Sequence, residues 1–227
     1  MTQTFFVAGT DTGVGKTLVT AALLQAAKDK GLTTLAMKPI AAGCKMTPEG
    51  LRNEDALVLQ ATMTLSLAYE QINPVALAEP IAPHLAAAQA GRRLSLDRLV
   101  GFCRGTLTER ADVRLLEGAG GWRVPLNETE SLSALVQALN LPVILVVGLR
   151  LGCLNHTLLT VEAMARDGVK LAGWVANQVE PEMAALDGNL MTLRRMLPAP
   201  CLGQIPFLDA ATPLEVAKYL DLTVLGL

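Results

Sequence analysis

Short, nearly all-apolar runs alternate along this chain with longer helix-like stretches. The apolar runs predict strands at residues 4–8, 33–38, 113–117, 142–147 and 171–177, with a short sixth at 201–206. Helices are expected between them, at residues 15–30, 55–63, 96–108, 131–139, 155–167 and 183–196. Gly31 stands where a helix C-terminal glycine belongs, and Pro39 stops the second strand. Strands with no polar face, separated by helices, imply a parallel sheet covered on both sides. Residues 41–91 carry the weakest strand signal and are expected to form loops and helices over the edge of the sheet. The chain has no internal repeat, low-complexity tract or linker, so a single α/β domain over residues 1–227 is the expected organisation.

Composition narrows this picture. Apolar residues make up 51% of the chain and aromatics only 4%, which favours aliphatic helices packed on aliphatic strands. The net charge is −2 and basic residues never run longer than a pair, so neither nucleic acid nor an anionic membrane is the expected partner. The four cysteines, Cys44, Cys103, Cys153 and Cys201, are scattered and suit reduced thiols in a cytoplasmic protein. The first residues lack the basic segment of a signal peptide, and residues 141–149 are too few to span a bilayer.

The candidate chemistry begins after the first strand, in "GTDTGVGKT" at residues 9–17. A Walker A loop places its first glycine five residues before the second, where this chain has Thr10; Gly9 lies one residue too early. The setting is nonetheless that of a phosphate loop, between a buried strand and a long helix. Glycines let backbone N–H groups face phosphate oxygens, and the helix N-terminus adds partial positive charge. Lys16 can reach the β- and γ-phosphates, and the Thr17 hydroxyl can ligate Mg²⁺. The competing reading is a plain strand-to-helix turn.

Other strand ends test that choice, because ligands of open parallel sheets bind beyond the carboxyl ends of the strands. The second strand ends at Lys38, the third at Glu117 before "GAGG", and the fifth at Asn177. A buried strand ending in Glu suits a Mg²⁺ ligand. The alternatives are a capping or surface carboxylate for Glu117 and a solvated lysine for Lys38. His156 reads as a helix-start or core residue, and His84 has no assigned role.

With these residues in view, the chain resembles the dethiobiotin synthetase family over nearly its full length. The resemblance rests on "GTDTGVGKT", "KPIAAG" (38–43), "TPEGLRNEDALVLQ" (47–60), "EGAGGW" (117–122), "LPVILVVGLRLGCLNH" (141–156), "GWVAN" (173–177) and "PAPCLGQIP" (198–206). The family's phosphate loop has the spacing seen here, so the loop is read as real, with one extra residue.

The resemblance implies a P-loop NTPase-like fold and an ATP- and Mg²⁺-dependent cyclo-ligase. Such enzymes join 7,8-diaminononanoate and CO₂ through a carbamate and a carbamic-phosphoric anhydride, forming the ureido ring of dethiobiotin in biotin synthesis. Lys16, Lys38 and Thr12 would be catalytic. Thr17, Asp55 and Glu117 would hold Mg²⁺. Nucleotide would lie against Gly13, Val14, Gly15, Lys16, Thr17, Leu18, Asp55, Glu117, Gly118, Ala119 and Gly120. Asn177, Gln178, Pro206, Phe207 and Leu208 would be on the adenine side. Substrate would meet Lys38 and Ala42, and its far carboxylate would meet Gly152, Cys153, Leu154 and Asn155 across a homodimer. Two positions depart from the family pattern: Gly13, often Glu, and Ala42, commonly Ser. They leave open a paralogue acting on a related diamine. A partition-type ATPase would carry a further lysine at the start of the loop, and no basic residue lies between Gly9 and Lys16. An amidating ligase such as a cobyrinate synthetase would need a glutaminase domain, for which this length has no room.

Overall fold

A computed structural model describes residues 2–227. The chain runs β1 (Gln3–Gly9), α1 (Lys16–Asp29), β2 (Thr34–Met37), β3 (Ile40–Ala41), β4 (Lys45–Thr47), β5 (Gly50–Arg52), α2 (Glu54–Thr62) and α3 (Tyr69–Ile72). It continues with β6 (Val75–Ala76), α4 (Pro83–Gln89), α5 (Leu96–Thr106), β7 (Val113–Glu117), α6 (Leu132–Leu139) and β8 (Val143–Leu149). The last elements are α7 (Cys153–Arg166), β9 (Leu171–Gln178), α8 (Leu186–Met196), β10 (Cys201–Ile205) and α9 (Pro213–Ala217).

Six strands form one sheet in the order β10-β9-β8-β1-β7-β2. Every neighbouring pair in it is parallel. Strand alternation sends Phe6, Ala8, Leu145 and Trp174 to one face, against helices α5 to α8, and Phe5, Val7, Ile144 and Val175 to the other, against α1, α2 and α9. A fully buried side chain such as Leu24 contributes about 1.5–3 kcal/mol by its removal from water. The strand order reverses beside β1: the chain first builds outward to β2, then crosses to the opposite side through β8. Such a reversal opens a crevice at the carboxyl ends of the central strands.

The expected fold and all six expected strands are present, each within two residues of its predicted ends. Two helix starts differ for local reasons. Helix α7 begins at Cys153, two residues early, because Gly152 at φ 93° caps it. Helix α8 begins at Leu186 rather than Met183, because the chain turns through Ala185 at φ 53°. The segment after β2 needs a correction. It contains strand pairs as well as helices: β3 pairs in parallel with β6, and β4 with β5 forms an antiparallel hairpin. These strands are two or three residues long, too short to show a period of two in the sequence.

Candidate active site

The carboxyl ends of β1, β7 and β2 surround a cleft of about 810 Å³. Its floor is the loop from Gly9 to Gly15. Gly15 has φ 84°, a left-handed conformation that favours glycine, and a Cβ there would lie 2.3 Å from Asn177 Nδ2. That nitrogen donates to the Val14 carbonyl at 2.9 Å, so the end of β9 buttresses the loop from below. Asp11 organises the loop's front. Its carboxylate accepts from the Thr12 N–H at 2.7 Å and from Arg150 Nη2 at 2.9 Å, and its carbonyl accepts from Lys16 Nζ at 2.8 Å.

Acid and base converge at the back of the cleft. Glu117, the last residue of β7, is fully buried. Its Oε1 accepts from Thr17 Oγ1 at 2.7 Å and from Lys38 Nζ at 2.6 Å. Lys38 Nζ also meets Asp55 Oδ2 at 2.5 Å. Burial lowers the Lys16 ammonium to about 8; neighbouring Lys38 adds to the fall, while Glu117, Asp55 and Asp11 oppose it. Burial would lower Lys38 too, but the carboxylates of Glu117 and Asp55 outweigh it and hold Lys38 above the ordinary lysine value. One ammonium is therefore held firmly charged between two carboxylates, while the other, donating to the Asp11 carbonyl, gives up its proton more readily.

A divalent metal has a ready donor set here. Glu117 Oε2 is buried without a hydrogen-bond partner, an orphan acceptor that costs free energy until something positive meets it. Thr17 and Asp55 stand beside the same carboxylate, through Glu117 Oε1 and through Lys38 respectively. Among the described residues no three His, Cys, Asp or Glu side chains gather as a metal cage. Two carboxylates and a hydroxyl suit Mg²⁺, which keeps several waters beside few protein ligands.

Of the residues singled out in the sequence, Thr12, Gly13, Gly15, Lys16, Thr17, Leu18, Lys38, Ala42, Asp55, Glu117, Ala119 and Gly120 line this one cleft. Val14 and Gly118 do not; Val14 is buried beneath the loop. Gln178 Nε2 bonds the carbonyls of Glu180 and Pro181, and Pro206, Phe207 and Leu208 follow β10 at the sheet's far end. Gly152, Cys153, Leu154 and Asn155 begin α7 away from the cleft, next to Leu151, which is 94% exposed. The sequence reading missed Asn53, Arg123 and the wall formed by residues 80–83, all of which line the cleft. Asn53 could have been found as a helix cap, standing before two acidic residues.

A phosphate loop feeding a helix from the central strand of a parallel sheet, at the reversal of strand order, defines the P-loop nucleoside-triphosphatase fold. Comparison with solved structures agrees. The septum site-determining protein MinD from Pyrococcus horikoshii superposes with a TM-score of 0.54 at 18% identity, covering 91% of this chain and 82% of its own. The signal recognition particle receptor FtsY from Elizabethkingia anophelis gives 0.54 at 15% identity over 96% of this chain, which spans 63% of that longer chain. By sequence, residues 3–215 match the AAA domain family. The ATP-dependent dethiobiotin synthetase BioD of Cellvibrio japonicus is 57% identical over 98% of this chain and 97% of its own. The enzyme of the same name from Pseudomonas aeruginosa PAO1 is 58% identical over 98% of each. The chain belongs to the ATP-dependent dethiobiotin synthetase family.

Proposed function

We propose that this protein closes the ureido ring of dethiobiotin from 7,8-diaminononanoate and CO₂ at the expense of ATP. The observation that carries the reading is the convergence of Lys16 and Lys38 on one cleft above a phosphate loop. The reaction joins two anions, a carbamate and the γ-phosphate, and such chemistry needs fixed cations around both. One amine adds to CO₂ to give the carbamate. A carbamate oxygen takes the γ-phosphoryl group, releasing ADP. The second amine then attacks the mixed anhydride carbon, expelling phosphate and closing the ring.

Lys16 faces the phosphates, and Lys38 faces the carbamate. Thr12 and Gly120, neighbours on the cleft lining, approach both. Thr17, Asp55 and Glu117 would hold Mg²⁺, which would supply positive charge to the reacting phosphates. Lys38 Nζ lies against two of these three residues, Asp55 and Glu117, and so stands beside the site the metal would take. The exposed start of α7, with Gly152 to Asn155, serves the cleft of a second subunit in a cytoplasmic homodimer and receives the diamine's carboxylate on its N–H groups. Asn177, Gln178 and residues 206–208 form the adenine side. Ala42 on the cleft wall favours the second reading, a paralogue for a related diamine.

Incubation with the diamine, bicarbonate and MgATP should yield ADP, phosphate and a product heavier than the diamine by one carbonyl less two hydrogens. Lys38→Ala should lower kcat on the order of 10²–10³-fold, the loss typical of one preorganised transition-state group. ATP hydrolysis that ignores the diamine would overturn the ligase reading in favour of a nucleotide switch. Ring closure on a different diamine would establish the paralogue.

A further inference from the structure

A buried polar chain links the segments that carry Lys38 and Asp55, on one wall of the cleft, through a residue outside the cleft. Tyr69, in the short helix α3, is 6% exposed. Its hydroxyl accepts from the Asn53 backbone N–H at 2.7 Å and donates to Asn73 Oδ1 at 3.1 Å. Asn73 Nδ2 in turn donates to the Lys38 carbonyl at 2.6 Å, and the Lys38 N–H donates to the Ile72 carbonyl at 2.8 Å. At the other end, the Asn53 side chain caps α2 by accepting from the Ala56 N–H at 3.2 Å. Asp55 sits in the first turn of that helix. The chain thus runs from the helix that carries the Asp55 carboxylate to the backbone that carries the Lys38 ammonium. All three linking side chains, Asn53, Tyr69 and Asn73, are buried.

Packing does not explain the hydroxyl. A phenylalanine would fill the same volume and keep the ring under Arg52, whose guanidinium lies 4.1 Å from the ring centre. What the oxygen adds is a fixed separation, because it is hydrogen-bonded on both sides in a place water does not reach. Without it, the Asn53 N–H and Asn73 Oδ1 lose a shared partner while buried, and relief requires α2 and the end of β2 to shift.

We propose that Tyr69, acting through Asn53 and Asn73, is a positioning residue that sets the Asp55 carboxylate against Lys38. This rests on the reading of Asp55 as a metal ligand and Lys38 as the substrate's cation. Groups that orient a metal's ligands commonly matter about 10–100-fold in metal affinity or activity.

The test compares Tyr69→Phe with Thr106→Val in the full-length protein. Thr106 Oγ1 bonds the Gln71 carbonyl at 3.1 Å, so its loss also loosens α3, but outside the relay. Mn²⁺ is titrated into each protein with ADP present and followed by electron paramagnetic resonance, beside kcat, KM for ATP and melting temperature. Tyr69→Phe should bind Mn²⁺ about 10-fold more weakly and lose kcat to a similar degree with KM for ATP unchanged. Thr106→Val should melt earlier yet bind Mn²⁺ as the unaltered protein does. Mn²⁺ affinity unchanged in Tyr69→Phe, or weakened equally in both variants, would reduce Tyr69 to a packing residue. If the unaltered protein instead binds Mn²⁺ but forms no ring, the functional reading fails, and the Mn²⁺ comparison still decides the role of Tyr69.

Discussion

The two walls of the cleft are built by different means. The loop wall, from Gly9 to Thr17, is backbone: its shape comes from φ angles at Gly13 and Gly15 and from carbonyls held by Lys16 and Asn177. The opposite wall, from Lys38 to Pro83, is held by side chains, with Asn53, Tyr69 and Asn73 passing hydrogen bonds between segments that share no strand. A backbone wall tolerates exchange of many side chains but not of a glycine. A side-chain wall tolerates shifts of backbone but not loss of a polar atom. The difference predicts where each wall breaks.

The largest effect should come from Gly15→Ala. A left-handed backbone costs a non-glycine residue about 1–2 kcal/mol. The new Cβ also meets Asn177 Nδ2 at 2.3 Å, which displaces the buttress as well as straining the loop. Calorimetry should show ATP affinity falling by about 100-fold or more, since a loop displaced by about 1 Å no longer presents its N–H groups together. Retained ATP affinity would mean that the loop wall is less backbone-determined than its angles indicate.

A smaller effect is expected on the opposite wall from Asn53→Ala. Loss of a helix cap costs about 1 kcal/mol of stability. Because the cap belongs to the wall that carries Asp55 and not to the phosphate loop, kcat should fall while the dissociation constant for ATP in the absence of metal stays the same. Equal losses in both would erase the distinction between the walls.

The smallest effect is a fraction of a proton. Lys16 has its folded-state value lowered to about 8, chiefly by burial. Phosphate oxygens stabilise the charged form, so the nucleotide complex holds more protons than the free protein. At pH 8, ATP binding should take up about half a proton, and apparent affinity should weaken as pH rises above that point. Calorimetry in buffers of different ionisation enthalpy measures this directly. Proton release at pH 8 would contradict the assigned environment of Lys16.

The same contrast governs what could be read from the sequence. The sheet and loop were legible because their signals are local: an unbroken apolar run, then Gly13 to Thr17, then a helix. Lys38 and Glu117 were legible as cleft residues for the same reason, each ending such a run; Asn177 ends one too, but its side chain bonds the Val14 carbonyl and does not line the cleft. The relay was not, since Tyr69 lies sixteen residues from Asn53 and the two meet only through a tertiary hydrogen bond. The strands β3 and β6 were hidden likewise, being two residues each and paired across a long excursion. Helix α9 was missed although its capping box, Thr212 with Glu215, is a local signal; its five residues were too few to show a helical period.

Strand β1 has a further consequence for how the protein is made. It lies in the middle of the sheet, with β7 on one side and β8 on the other. At a synthesis rate of about 5–20 residues per second, residues 143–149 leave the ribosome roughly 7–28 s after β1 does. Until β7 emerges the "FFVA" stretch has open edges on both sides, and until β8 emerges it keeps one, a strand edge available for pairing with other nascent chains. The phosphate loop that β1 carries is thus synthesised well before the strand that completes the pairing of β1. A truncated product ending before β8 would present the nucleotide motif intact in sequence, attached to an aggregation-prone strand and unable to bind.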